Sequence, residues 1–243
     1  MTFTKDYPGP ESAARAATHH AWLERTGLPV PRLIALHARA LEFEHVPGRH
    51  ATPGDLPAIA RLLGRAHTAA HHRHLSLARL DNDLVLPDVG VLPSFTAVRA
   101  ARVRQLLETG AVPDPAFTTD QAVERIHSAA TEPAAFYKDA NPRNFLVTPH
   151  GEITIVDFDD LTLAPFGYDM AKLLVTTAMT HGPLPAGLTT EALSAYNDTA
   201  AHPCSPERLA DWMEIHHILT SPYTGRNGYA HSWHTLRPAE RNP

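Results

Sequence analysis

Phe136-Tyr-Lys-Asp-Ala-Asn-Pro-Arg-Asn-Phe-Leu-Val147, followed by Ile155-Val-Asp-Phe-Asp-Asp160, is the stretch on which the reading of this chain turns. Asp139, then Asn144, then Asp157 closing an apolar run make a carboxylate–amide–carboxylate set. Phe145 to Val147 and Ile153 to Phe158 read as two strands around the turn Thr148-Pro149-His150-Gly151. Reversal of the chain in such a hairpin brings Asn144, just before the first strand, near Asp157 at the end of the second. Each residue alone reads as a turn or strand-end residue. Together they offer hard oxygen ligands suited to magnesium, from Asn144 and Asp157, beside a carboxylate, Asp139, able to accept a proton from a hydroxyl. Phosphoryl transfer from a magnesium nucleotide needs such a set.

The rest of the sequence bounds this reading. The chain has 243 residues, 43% hydrophobic and 19% charged, with a formal net charge of -5. That length allows one large domain or two unequal lobes. Lys and Arg are scattered rather than banded, so there is no nucleic-acid footprint. No apolar run approaches the roughly 20 residues of a membrane span, and Met1 to Pro10 lacks the apolar core of a signal peptide. Cys204 is the only cysteine, which excludes an intrachain disulfide and makes a reducing cytoplasm the expectation.

Short strands are expected at Thr2 to Lys5, Arg32 to His37 and Ala40 to His45, and helices at Glu11 to Arg25, Asp55 to His71, Ser94 to Glu108 and Asp120 to Ala130. Leu80 to Pro93 reads as a connection, and the chain is mostly helical from Tyr168. A few strands first, then helices interrupted by one hairpin, is an α+β pattern rather than alternating βαβ.

The segment from Phe136 to about Leu174 resembles the catalytic region of the aminoglycoside phosphotransferase and choline kinase-like family, a branch of the protein-kinase-like fold. Gly167-Tyr-Asp-Met-Ala171 is similar to that family's Asp-Leu-Ala helix start. Further upstream, Leu28-Pro-Val-Pro31 resembles its entry to a strand, Leu41 to Gly48 its hinge, and Leu62 to His67 the first helix of its large lobe. The resemblance implies a two-lobe fold, with a truncated small lobe and hinge over 1–48 and a helical large lobe over 49–243. It implies Mg2+ and ATP as cofactors. Asp139 is then the catalytic base, Asn144 and Asp157 the metal ligands, and Glu44, His45 and Val46 the backbone that meets adenine. Asp169 fixes the catalytic loop through hydrogen bonds, and Asp159 and Asp160 occupy the place of an acidic pair. The helices after the metal strand build the acceptor pocket, which points to Asp211, Trp212, Glu214 and His217, with Asp159, as substrate residues. The tail Ser221 to His234, rich in Tyr, Trp, Arg, Asn and His, suits a polar ligand or simply covers the core.

Two departures from the family pattern matter. Tyr137-Lys138 stands where the family has His-Gly, and Arg143 where small-molecule kinases often carry Gly. Lys138 and Arg143 are expected as a positive pair beside the phosphates, with exposed loop residues as the alternative. At the front, no glycine-rich phosphate loop exists among the 13 glycines. Lys5 is the only candidate for the phosphate-binding lysine and Glu11 for its helix partner. Four explanations stay open: an open phosphate site served by Lys5, Lys138 and Arg143; a partner chain that completes the small lobe; a domain that only binds; or a start upstream of Met1. His67 and His71 have a zinc-compatible spacing but read as surface histidines, and Cys204 as a structural thiol.

The sequence therefore predicts a phosphotransferase that moves the γ-phosphoryl group of ATP to a hydroxyl of a small molecule, an amino sugar or related metabolite. The alternatives are a kinase acting on Ser or Thr of a biosynthetic peptide, and a non-catalytic kinase-like binding module or a subunit completed by a partner.

Overall fold

The computed structural model describes residues 1–157, 159 and 161–237. Phe158 and Asp160 of the sequence motif lie outside the described residues. In chain order the elements are β1 (Thr2–Asp6), α1 (Pro10–Arg25), β2 (Leu33–Leu36), β3 (Ala40–Glu44), β4 (Arg49–His50), α2 (Leu56–Ala70), β5 (Leu84–Leu86), β6 (Gly90–Leu92), α3 (Thr96–Glu108) and α4 (Thr119–Ser128). They continue as β7 (Ala134–Tyr137), β8 (Phe145–Val147), β9 (Ile153–Ile155), β10 (Thr162–Pro165), α5 (Tyr168–His181), α6 (Leu188–Asn197), α7 (Pro206–Thr220) and α8 (Trp233–Leu236). The α+β, kinase-like two-lobe architecture expected from the sequence is present.

At the front, β1, β3 and β2 form an antiparallel sheet in that order, with Lys5 opposite Leu41. Alternation puts Leu41 and Phe43 of β3 on the buried face, while Glu44 is exposed. Helix α1 closes this lobe. Pro10 pre-sets its first turn, and Gly27 at φ +86° ends it. The Gly27 amide bonds the Glu24 carbonyl and the Leu28 amide bonds the Leu23 carbonyl, the paired bonds of a Schellman stop, with Leu23 and Leu28 both buried. Trp22 joins the lobes: it is fully buried and meets Phe136 of β7 edge-on at 5.2 Å.

The larger lobe is helical around two small sheets. Strand β4 joins β8 and β9, and β7 pairs with β10, so the strands on either side of the loop over 138–144 are both held in sheets. The stretch read as a connection, Leu80 to Pro93, contains a short hairpin, β5–β6. The expected strand from Ile153 to Phe158 ends at Ile155, because Asp157 takes a left-handed backbone at φ +68°. Helix α2 runs on into a π turn at His71–Leu75.

The histidines expected on the surface are inside. His67 is fully buried, edge-on to Phe136 at 4.6 Å, and its Nδ1 shares a hydrogen bond with the Tyr196 hydroxyl at 2.8 Å. Burial pushes its pKa down to about 3. His71 Nδ1 donates to the Ala134 carbonyl at 2.9 Å. Among the described residues no group of three or more His, Cys, Asp or Glu could hold a metal ion, and no helix is long and apolar enough to cross a membrane. Cys204 is buried with its thiol pushed up to about 12 by burial, far from a nucleophile. It packs against Gly167, where an added Cβ would meet the sulfur at 2.5 Å. Only glycine fits there, at φ +84°, to start α5.

Candidate functional site

Strand β7 ends at Tyr137, and the loop that follows is held from below. Asp169, in the first turn of α5 and fully buried, accepts from the Lys138 amide at 3.2 Å and the Ala140 amide at 2.8 Å. Burial raises its carboxyl to about 6. Asn144 Nδ2 donates to the Asp139 carbonyl at 2.9 Å, and the Asn144 carbonyl accepts from the Val156 amide at 2.9 Å. These bonds hold Asp139 at φ +61°, a conformation that costs a non-glycine residue about 1 kcal/mol or more unless its surroundings enforce it. The loop expected to be fixed by Asp169 is so fixed.

Asp139, Asn144 and Asp157 line one cleft of about 880 Å3, within the range of small-ligand sites. The Tyr137 hydroxyl donates to Asp139 Oδ1 at 2.9 Å. Lys172 of α5 lies 3.2 Å from the same oxygen. Burial works to raise the Asp139 pKa, but the Lys172 ammonium and the Tyr137 hydroxyl outweigh it and hold the carboxyl below the usual range. Lys172 was not read from the sequence. Its signal was the spacing to Asp169, one helical turn earlier on the same face of α5.

Lys138 does not stand beside the phosphate site as expected. Its side chain points away from Tyr137's and is only 2% exposed. Its ammonium reaches the Val156 carbonyl at 3.4 Å and lies over the Phe145 ring at 5.1 Å. Burial lowers its pKa. It therefore braces the backbone that leads into Asp157. Arg143 does line the cleft, its guanidinium 5.8 Å from the Tyr229 ring.

Lys5 reaches this site from β1. Its ammonium is 2.8 Å from Asp157 Oδ1 and 2.8 Å from Asp159 Oδ2, and those two carboxylates raise its pKa against the opposing effect of burial. The expected Lys5–Glu11 pair is not formed. Glu11 sits exposed at the start of α1, where a carboxylate suits the helix dipole. Asp159, expected as a substrate residue, is instead a partner of Lys5. A cation already lies between the carboxylates, so this oxygen-rich corner fits a divalent ion with Asn144 and Asp157 as ligands.

Behind it is a cavity of about 310 Å3 between the lobes. It is lined by Phe3, Phe43, Glu44, His45 and Val46 at the front and by Leu146 and Val156 at the rear. Among the described residues the Val46 amide has no backbone partner.

The other expected acceptor residues face elsewhere. Trp212 is fully buried against Phe95 and Tyr168. Asp211 pairs with Arg125 at 3.3 Å. Glu214 accepts from Trp233 Nε1 at 3.0 Å and pairs with Arg237. His217 Nε2 donates to the Pro113 carbonyl at 2.9 Å, and burial brings its pKa to about 4. Helix α7 is buried on most of its faces, so its polar groups are tied to structure rather than presented to a ligand. The cleft wall comes instead from Arg99 and Arg102 of α3, Lys172, and Tyr223, Asn227 and Tyr229 of the tail. In the tail, Trp233 covers the core, while the Tyr229 hydroxyl receives Asn141 Nδ2 at 2.5 Å beside the loop.

A sequence model described as the phosphotransferase enzyme family matches residues 3–204. No curated protein matches the chain. Among solved structures, a choline/ethanolamine kinase family protein from Mesorhizobium loti is 18% identical, with 99% of this chain and 76% of that chain covered and a TM-score of 0.58. An aminoglycoside phosphotransferase from Streptomyces rimosus, in complex with ADP and streptomycin, is 15% identical over 88% of this chain and 85% of that one, with a TM-score of 0.56. An amicoumacin kinase in complex with AMP-PNP, calcium and Ami is 12% identical over 100% and 75%, with a TM-score of 0.64.

Proposed function

We propose a specific reaction for this chain, which belongs to the phosphotransferase enzyme family: transfer of the γ-phosphoryl group of ATP to a hydroxyl of a small molecule. The observation that carries the proposal is the convergence of Asp139, Asn144 and Asp157 on one cleft, with Lys5 bonded to Asp157 at its edge.

In this reading the cavity behind Lys5 takes the adenine, its ring between Phe43 and Val46 on one side and Leu146 and Val156 on the other. The backbone of Glu44 to Val46 supplies the polar edge. Lys5, with Asp159 holding it, turns its ammonium to the phosphates in place of a glycine-rich loop, and Arg143 faces them from the catalytic loop. Asn144 and Asp157 would hold magnesium, which when bound would neutralise phosphate charge. Asp139 accepts the hydroxyl proton as the oxygen attacks the γ-phosphorus and the bond from that phosphorus to the bridging oxygen breaks, releasing ADP. Tyr137 and Lys172 keep that carboxylate ionised and aimed. The chemistry asks little of covalent catalysis and much of position.

The experiment is thermal shift with Mg-ATP followed by radiolabelled phosphate transfer to a metabolite panel. Wild type should be stabilised by Mg-ATP, and Asp157→Ala should lose most of that shift. Asp139→Ala should keep the shift and lose transfer by about 10²- to 10⁴-fold, the usual worth of a general base. No shift in wild type, or full turnover in Asp139→Ala, would sink the reading.

A further inference from the structure

We infer that the acceptor is an acid: the cleft holds a carboxylate or phosphate group of the substrate on Arg99 and Arg102. The inference rests on the phosphotransferase reading above and names the class of its acceptor.

Arg99 and Arg102 are one turn apart on α3, so they share a face, and both line the cleft that contains Asp139. Arg99 is held ready. Its guanidinium lies 4.6 Å from the Phe95 ring centre, 5.0 Å from Tyr137 and 5.1 Å from Tyr168. It donates to the Phe95 carbonyl at 3.2 Å and to Thr162 Oγ1 at 2.7 Å. A guanidinium has five N–H donors in a fixed plane, so these bonds orient it while leaving donors over. Arg102 is exposed and, among the described residues, its side chain bonds Gln105 Oε1 alone, at 2.8 Å.

Among the described residues, neither arginine has a carboxylate partner. The acids nearby are engaged: Asp139 by Lys172, Asp157 by Lys5, and Asp83 by the Ser94 amide at 2.7 Å. Two like charges a turn apart disfavour a helix slightly, and the chain as a whole carries -5. A basic wall inside an acidic protein is thus a local feature of the cleft. Lys5, Arg143 and Lys172 lie on the side of the metal and base residues, which leaves Arg99 and Arg102 as the surplus. A carboxylate or phosphate matches a guanidinium with two parallel hydrogen bonds. An ammonium there would be repelled, so the wall selects against an amino sugar.

The placement also limits size. Tyr137 spans the gap, its ring against Arg99 and its hydroxyl 2.9 Å from Asp139. The anionic group and the reacting hydroxyl are therefore about one tyrosine ring apart, as in a small hydroxy acid or a sugar acid.

The test uses the full chain loaded with Mg-AMP-PNP at fixed ionic strength. Glucuronate and glucose 6-phosphate are titrated beside glucose and glucosamine, with melting temperature as the readout. At least one acid should bind ten-fold or more tighter than glucose, with glucosamine weakest, and which acid wins tells carboxylate from phosphate. Arg102→Gln, at an exposed position, should weaken acid binding at least five-fold and leave the AMP-PNP shift unchanged. Arg99→Gln should do more. Acids no better than glucose, or an acid preference that survives both substitutions, overturns the inference while the nucleotide shift keeps the phosphotransferase reading alive. Acid binding that depends on Arg102 without any AMP-PNP shift keeps the subsite and overturns the nucleotide reading.

Discussion

The loop that carries Asp139 and the strand that carries Lys5 meet at one cleft but are held in opposite ways. Around Asp139, support is buried and redundant: Asp169 takes two loop amides, Asn144 a third tie, and Lys138 braces the approach to Asp157 from inside. Lys5 is held by two half-exposed carboxylates, with side-chain exposures of 48% for Asp157 and 41% for Asp159. The difference matches two demands of the proposed reaction. The base must keep a left-handed backbone that only its surroundings enforce. The lysine must be able to change partners when phosphates arrive, and exposed ion pairs, worth about 0.2–1 kcal/mol, allow that.

The sharpest way to break this contrast is at the buried end. Asp169→Ala leaves two amides without their acceptor and removes the carboxylate charge that offsets burial at the Lys138 ammonium. Removing one member of such a buried set costs about 3–5 kcal/mol. A urea titration should show the loss, and transfer should fall with it as the loop relaxes. A change below 1 kcal/mol would mean that the loop holds itself.

Acid should act on the same lobe. His67, His216 and His217 are neutral inside, burial having pushed the first to about 3, the second well below the usual 6.5 and the third to about 4. Between pH 6 and about 4 the unfolded chain binds three protons there that the native chain does not. Asp169, raised to about 6, binds one more proton in the native chain than unfolded. The balance favours the unfolded state by about two protons, so stability falls as pH falls, by roughly 3 kcal/mol per pH unit. Melting at pH 7, 6 and 5 measures it. Equal midpoints at pH 6 and 5 would show that these histidines charge without unfolding the protein.

Legibility in the sequence followed the same divide. Asp139, Asn144 and Asp157 could be read together because a short hairpin fixes their relation locally. The Asp169 brace followed from the family pattern at the start of α5. Lys138 was misplaced because strand alternation sends neighbours to opposite faces, and the sequence alone did not say which face β7 turns to the cleft. Trp212, Glu214 and His217 looked like a ligand palette but sit on a helix buried on most faces. Arg99 and Arg102 went unread because α3 reaches the cleft only through long-range packing on Tyr137 and Tyr168. The partner of Lys5 was sought on α1, where Ala16 is buried and Glu11 is exposed, while Asp157 and Asp159 supplied it from the segment past the end of β9.

That relocated partner gives the finest test. If Asp159 positions Lys5 for the phosphates, Lys5→Met should raise KM for ATP most, by about tenfold, since a charged contact to phosphate is lost. Asp159→Asn keeps the shape and removes only the exposed ion pair, so its effect is capped near 1 kcal/mol, about fivefold in KM. It should leave kcat nearly intact, because Asp159 touches Lys5 rather than the reacting hydroxyl. Glu11→Gln should change neither constant, and its stability cost, a lost dipole contact at the start of α1, should stay within about 0.5 kcal/mol. A larger KM effect from Glu11→Gln than from Asp159→Asn would mean that Lys5 swings back to the helix when nucleotide binds. The exposed pairs at the front would then be a resting position and not the working one.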